Sequence, residues 1–213
     1  MIIISHRGCW NEPDEKNSLN SLISSAKSGF GCETDIRDHN SELVISHDVP
    51  GNTNLSLDQV LKLFENKNLL LAINIKSDGL QYLLQKSLKQ FNITNYFVFD
   101  MSVPETRKYL TMGFNVFGRQ SEFESEIPFY NEIKGVWLDS FESTWYNEDL
   151  VKKHLMNGKQ VCIVSPELHD RDYSGHWEYL KSFGFIRNDK LILCTDYPGD
   201  AQIYFNSHQT EIK

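Results

Sequence analysis

The chain opens MIIISHRGCWNEP (residues 1–13), and its fold turns on the residues just after the first apolar run. Met1 to Ile4 are uninterrupted apolar residues, the pattern of a strand buried on both faces in a parallel sheet. His6, Arg7 and Gly8 stand where that strand ends. In an open doubly wound sheet this is the place of a glycine-rich phosphate loop, GxGxxG. HRGCWNEP has a single glycine and cannot form one. The competing architecture is the (β/α)₈ barrel, which carries its chemistry at the C-terminal ends of its strands.

The rest of the chain keeps a strand–helix rhythm. Strand-like runs are MIIISH, CETDI, LLAINI, YFVFD, NVFGR, GVWLD, VCIVS and LILCT. Between them lie amphipathic segments with start and stop signals. Asn17 precedes SLNSLISSAKSGF, closed by Gly29; Ser56 with Gln59 and Ser102 with Glu105 read as capping boxes; Asn147 opens EDLVKKHLMNG, closed by Gly158. Further helices are expected over HWEYLKSF and DAQIYF, and none after NVFGR. Eight strands with helices between them predict one compact TIM (β/α)₈ barrel over residues 1–213, its active site at the strand C-termini.

The net charge of −8 argues against non-specific binding to nucleic acid or to anionic membranes. No apolar stretch reaches the roughly 20 residues of a transmembrane helix. The N-terminal run is too short for a secretory signal, and Cys9, Cys32, Cys162 and Cys194 show no CxxC spacing. The expectation is a cytoplasmic protein with reduced thiols.

Polar residues gather where the barrel needs them. His6 and Arg7 end the first strand, Glu33 and Asp35 lie in the second, and Asn74 and Lys76 end the third. Residues two apart in a strand share a face, so Glu33 pairs with Asp35 and Asn74 with Lys76, while Cys32, Thr34 and Ile36 take the opposite face. His47 lies in the return run LVISHD. Taken singly, each has an ordinary reading as an edge-strand acid, a surface cation or a turn histidine. Taken together they suit phosphodiester chemistry. Two carboxylates hold a hard divalent cation, two cations neutralise phosphate, and two histidines divide the proton transfers.

With these motifs the sequence resembles the glycerophosphodiester phosphodiesterase superfamily, which includes the spider-venom sphingomyelinases D and is related to phosphatidylinositol phospholipase C. The matching residues are ISHRG, Asn17-Ser18 at the first helix, Glu33-Thr34-Asp35, His47-Asp48, and Thr195 to Pro198 in CTDYPGDA. The resemblance implies His6 and His47 as general acid and base, and Glu33 and Asp35 as ligands of Mg²⁺, Ca²⁺ or Mn²⁺. The substrate implied is a glycerophosphodiester or related lipid-derived phosphodiester, with Arg7 and Lys76 on its phosphate. The attacking group can be a neighbouring hydroxyl of the substrate, through a cyclic phosphate.

One position departs from the pattern. The third strand of the family carries an acid two residues before the lysine, as the third metal ligand; here the sequence is Asn74-Ile75-Lys76. An amide oxygen can serve the same cation, at the loss of one negative charge. Asp139, at the end of GVWLD, is a candidate to supply it. Asn74 is also the motive for the alternative readings, a non-catalytic or lyase-type barrel binding a phosphorylated metabolite. Arg119 and Trp145 read as structural or peripheral, and the loop of His169, Asp170 and Asp172 as a contributor to specificity.

Overall fold

In the computed structural model, which describes residues 1–51 and 55–207, all eight expected strands form. They are β1 (Ile2–His6), β2 (Gly31–His39), β5 (Leu71–Ile75), β6 (Tyr96–Phe99), β7 (Phe117–Gln120), β8 (Gly135–Leu138), β9 (Gln160–Val164) and β10 (Leu191–Thr195). Two more, β3 (Glu42–Ile45) and β4 (Leu55–Ser56), fold back antiparallel on the long β2. Asn52 to Asn54, in the segment after His47, lie outside the described residues.

The eight strands run parallel. Ladders join β1 to β2, β2 to β5, β5 to β6, β7 to β8, β8 to β9, β9 to β10 and β10 back to β1. The junction between β6 and β7 is different: one bridge, Val98 to Val116, replaces a ladder, so the sheet is not closed as an ideal barrel would be. Side chains hold this seam. Phe97 of β6 stacks on Phe117 of β7 with centroids 3.7 Å apart, and Phe99 stacks on Trp137 of β8 at 4.0 Å. Such pairs contribute about 1 kcal/mol each beyond burial. A Cβ on Gly135 would collide with the Phe117 ring, so that position admits only glycine.

Alternation divides the strands into two faces. Ile4, Ala72, Phe97, Phe99, Phe117, Trp137, Cys162, Val164, Ile192 and Cys194 pack together as one buried cluster built almost wholly of strand residues. The opposite face packs on the helices. Cys32, Ile36, Leu71 and Ile73 meet Leu22, Val60, Leu61 and Leu84, while Val136, Leu138, Ile163 and Leu193 meet Val151, Trp177 and Leu180. The four cysteines are free thiols.

The helices are α1 (Leu19–Lys27), α2 (Leu57–Phe64), α3 (Gln81–Gln90), α4 (Val103–Thr111), α5 (Glu148–Met156), α6 (Ser174–Lys181) and α7 (Pro198–Asn206). Ser56 and Gln59 form the expected capping box, and Asn147 caps α5 through the Leu150 amide at 3.0 Å. Two start signals are corrected. Ser102 makes no side-chain cap; Glu105 turns instead to the Gly79 amide, Gln81 and Lys108, which satisfy its buried carboxylate better than one helix amide would. At α1 the cap is Ser18, because Asn17 is drawn away to β2. No described helix is long and apolar enough to cross a membrane.

Two histidines on the inner faces of α5 and α6, His154 and His176, are buried. His154 sits between Tyr130 and Gln120, at 2.8 and 2.9 Å, and His176 bonds the Tyr146 hydroxyl at 2.6 Å. Burial, and secondarily nearby cations, push both down from the ordinary 6.5 to about 4. Each therefore binds its proton more readily in the unfolded chain. Stability should be intact above pH 6.5 and fall toward pH 4, by about 2–3 kcal/mol per histidine. Urea denaturation between pH 7 and 4.5 checks this, and His154→Gln should flatten the slope. A slope unchanged by that substitution would contradict the assignment.

Candidate active site

The inward lane of each strand changes character along its length. The lower positions are apolar, and the C-terminal ones are His6 after Ile4, Asn74 after Ala72, Asp139 after Trp137 and Asp196 after Cys194. Register brings the expected residues together. His6 pairs with Glu33, Glu33 with Ala72, and Asp35 with Asn74, so their side chains share one face.

The turn after β1 is built for this approach. Arg7 adopts φ +58 and Gly8 φ +93. A Cβ on Gly8 would lie 2.6 Å from the Ser21 backbone of α1, so glycine is required. The Arg7 amide donates to the Glu33 carbonyl at 2.9 Å, which aims its side chain across β2.

Asp35 is fully buried and heavily compensated. Arg7 Nε lies 2.7 Å from its Oδ2, Lys76 Nζ 3.4 Å from its Oδ1, and Asn17 Nδ2 donates at 2.9 Å. Glu33 is as deeply buried without a comparable partner. Burial, then repulsion from Asp35, pushes its carboxyl up to about 8, countered only in part by Arg7, Lys76 and Asn74. Glu33 Oε2, Asp35 Oδ1 and Asn74 Oδ1 are buried oxygens without a hydrogen-bond partner among the described residues. Of the three, Asp35 Oδ1 has the Lys76 ammonium at 3.4 Å, and the other two are costly to bury unless a cation or donor completes them. Among the described residues no group of three or more His, Cys, Asp or Glu side chains is placed to hold a metal ion; the third oxygen beside Glu33 and Asp35 belongs to the Asn74 amide.

His6 is held by a residue to which the sequence motifs assign no role. Asp196, just beyond β10, lies 2.6 Å from Nδ1, with Lys16 Nζ 3.3 Å from its other oxygen. Asp196 can only accept, so Nδ1 carries the proton and Nε2 is left bare, 3.8 Å from Glu33. Burial holds His6 below the ordinary histidine range despite Asp196. Asp196 stands at a strand end, as do Asp100 after β6 and Asp139 after β8; that position was the available signal.

The other expected residues have further partners. His47 is half exposed and pairs with the exposed Asp48 at 2.9 Å; no described bond links it to His6, Glu33, Asp35 or Asn74. Asp139 does not enter the Glu33–Asp35 group, because His169, Trp137 and the Ser140 amide occupy it. Lys76 also reaches Asp100 at 3.4 Å, and Arg119 pairs with Asp100 at 2.7 Å and with Glu124.

No protein-family model and no curated protein matches the chain. Solved structures do. An Oleispira antarctica phosphodiesterase in complex with the product sn-glycerol-3-phosphate matches with TM-score 0.72 over 97% of both chains at 15% identity. The glycerophosphodiester phosphodiesterase of Agrobacterium tumefaciens matches with TM-score 0.71 at 12% identity, over 97% of this chain and all of its own. The chain has the fold of the glycerophosphodiester phosphodiesterases. A Ca²⁺-dependent phosphatidylinositol-specific phospholipase C from Streptomyces antibioticus is similar at TM-score 0.54 and 7% identity, over 95% of this chain and 96% of its own.

Proposed function

We propose that this glycerophosphodiesterase-fold chain is one compact (β/α)₈-barrel domain acting as a divalent-cation-dependent phosphodiesterase on a glycerophosphodiester or related lipid-derived phosphodiester. The observation that carries the reading is the set of three buried oxygens without a hydrogen bond among the described residues, Glu33 Oε2, Asp35 Oδ1 and Asn74 Oδ1, of which only Asp35 Oδ1 has an ion-pair partner, Lys76, beside Nε2 of His6. These oxygens would hold Mg²⁺ or Ca²⁺, with Mn²⁺ also suited to the donor set. Bound there, the cation would supply positive charge to the phosphoryl oxygens as negative charge develops on them.

The chain's own groups do the rest. His6 Nε2 takes the proton of the attacking hydroxyl, from a neighbouring position on the substrate or from water. Asp196 holds the ring and stabilises the imidazolium that forms. His47 returns a proton to the departing alkoxide. Arg7 and Lys76 share their charge between Asp35 and the phosphate.

Glycerophosphodiesters incubated with Mg²⁺, Ca²⁺ or Mn²⁺ test the reading: turnover lost on chelation is expected, and none with any cation would overturn it. Binding without turnover, favoured by Asn74 alone, is the second reading and predicts that outcome. His47→Ala should lower kcat by about 10²- to 10⁴-fold on alkyl esters and much less on a p-nitrophenyl ester, whose leaving group needs no proton. Equal loss on both esters, or none, would remove His47 from the acid role.

A further inference from the structure

The strand ends hold a second histidine–carboxylate pair that the proposed mechanism leaves unused. Asp139, buried after β8, is bonded by His169 Nε2 at 2.7 Å, the Ser140 amide at 2.9 Å and the Trp137 indole at 3.3 Å. His169 closes a short 3₁₀ turn, Pro166–His169, just after β9. Glu167 of the same turn accepts from the Thr195 hydroxyl and from the Asp196 amide at 3.1 Å, behind the carboxylate that holds His6. Leu168, between them, packs on the buried strand cluster. One turn thus rests over the strand interior, fastened at Glu167 to the Asp196–His6 pair and at His169 to Asp139.

The partners of His169 determine the face it presents to a ligand. With Nε2 on Asp139, Nδ1 has no hydrogen bond among the described residues, on a side chain 24% exposed. The ring lies 4.6 Å from Phe141, whose next neighbour, the exposed Phe123, is at 5.9 Å. Arg119 is paired with Asp100 and Glu124, and Arg171 Nη2 donates to the Ser140 carbonyl and hydroxyl at 2.6 and 3.2 Å. The corner offers an imidazole nitrogen beside an apolar wall, suited to a hydroxyl-bearing group.

Resting on the phosphodiesterase reading, we propose that His169 Nδ1 hydrogen-bonds a hydroxyl on the departing alcohol of the substrate, with Phe141 and Phe123 against its carbon skeleton. In this reading the attacking hydroxyl lies against His6, the departing oxygen faces His47 beside β2, and the carbon skeleton of the departing alcohol runs from there toward β8 and β9. Asp139 fixes the ring so that Nδ1, and not Nε2, meets the ligand.

The test compares kcat/KM for two glycerophosphodiesters, one with a butyl departing group and one with a 4-hydroxybutyl group, whose hydroxyl is too distant to close a five-membered ring on phosphorus. The wild-type chain should favour the hydroxylated ester by about 10- to 100-fold, the range of one hydrogen bond. His169→Phe, which keeps a ring against Phe141, should reduce that preference about tenfold or more. Asp139→Ala, which removes the acceptor that holds Nε2, should move it the same way and decides the matter if the first variant does not fold. A preference unchanged in the folded variants, or equal loss on both esters, overturns the inference while leaving the phosphodiesterase reading intact. A wild-type chain that turns over neither ester overturns both.

Discussion

His6→Asn is expected to lower kcat on a glycerophosphodiester by about 10³-fold or more with little change in KM, because proton transfer by a placed base contributes about 10²–10⁴ and this ring has no substitute. Asparagine is chosen because its amide N–H can still meet Asp196, whose buried carboxylate would otherwise lose its 2.6 Å partner. The fold should therefore survive, and a thermal melt checks that it does. A kcat within tenfold of wild type would mean that Nε2 takes no part in the reaction. The same substitution separates the Asp196–His6 pair from the Asp139–His169 pair, since His169 touches Asp139 and not Asp196.

The second large effect concerns cation binding. Glu33→Gln removes a charge without changing shape, and it acts where burial already disfavours the carboxylate. In a site with only two acids, losing one should weaken Ca²⁺ or Mg²⁺ binding by about 100-fold or more, since affinity follows ligand charge. The glutamine side chain should sit comfortably, because Glu33 is close to unpaired as it stands. A melting temperature at or above that of wild type, with cation binding lost, is the combined result expected.

The strands were legible because parallel strands buried on both faces are written as short apolar runs, and each of the eight runs formed one. The pairing of Glu33 with Asp35 was legible from the two-residue period alone. The features that were not legible depend on contacts distant in the chain. Asn17 reads as a helix starter, yet its amide is taken by Asp35 and Thr34 across 18 and 17 residues. Asp196 stood in a family motif without a role, because only folding brings it 190 residues back to His6. Asp139 was a plausible third acid until His169 claimed it, a contact no local pattern encodes. Nor could the sequence show that aromatic stacking, and not a full ladder, would join β6 to β7.

Glu33 Oε2, Asp35 Oδ1 and Asn74 Oδ1 are proposed to form a cation site in which an amide stands where an acid would bind more tightly. Calorimetric titration of Ca²⁺ and Mg²⁺ into the wild-type, Asn74→Asp and Glu33→Gln chains addresses it without any assay of turnover. One site is expected, tightened about tenfold or more by Asn74→Asp and lost in Glu33→Gln. The same affinity in all three chains, or no heat in any of them, would contradict the account.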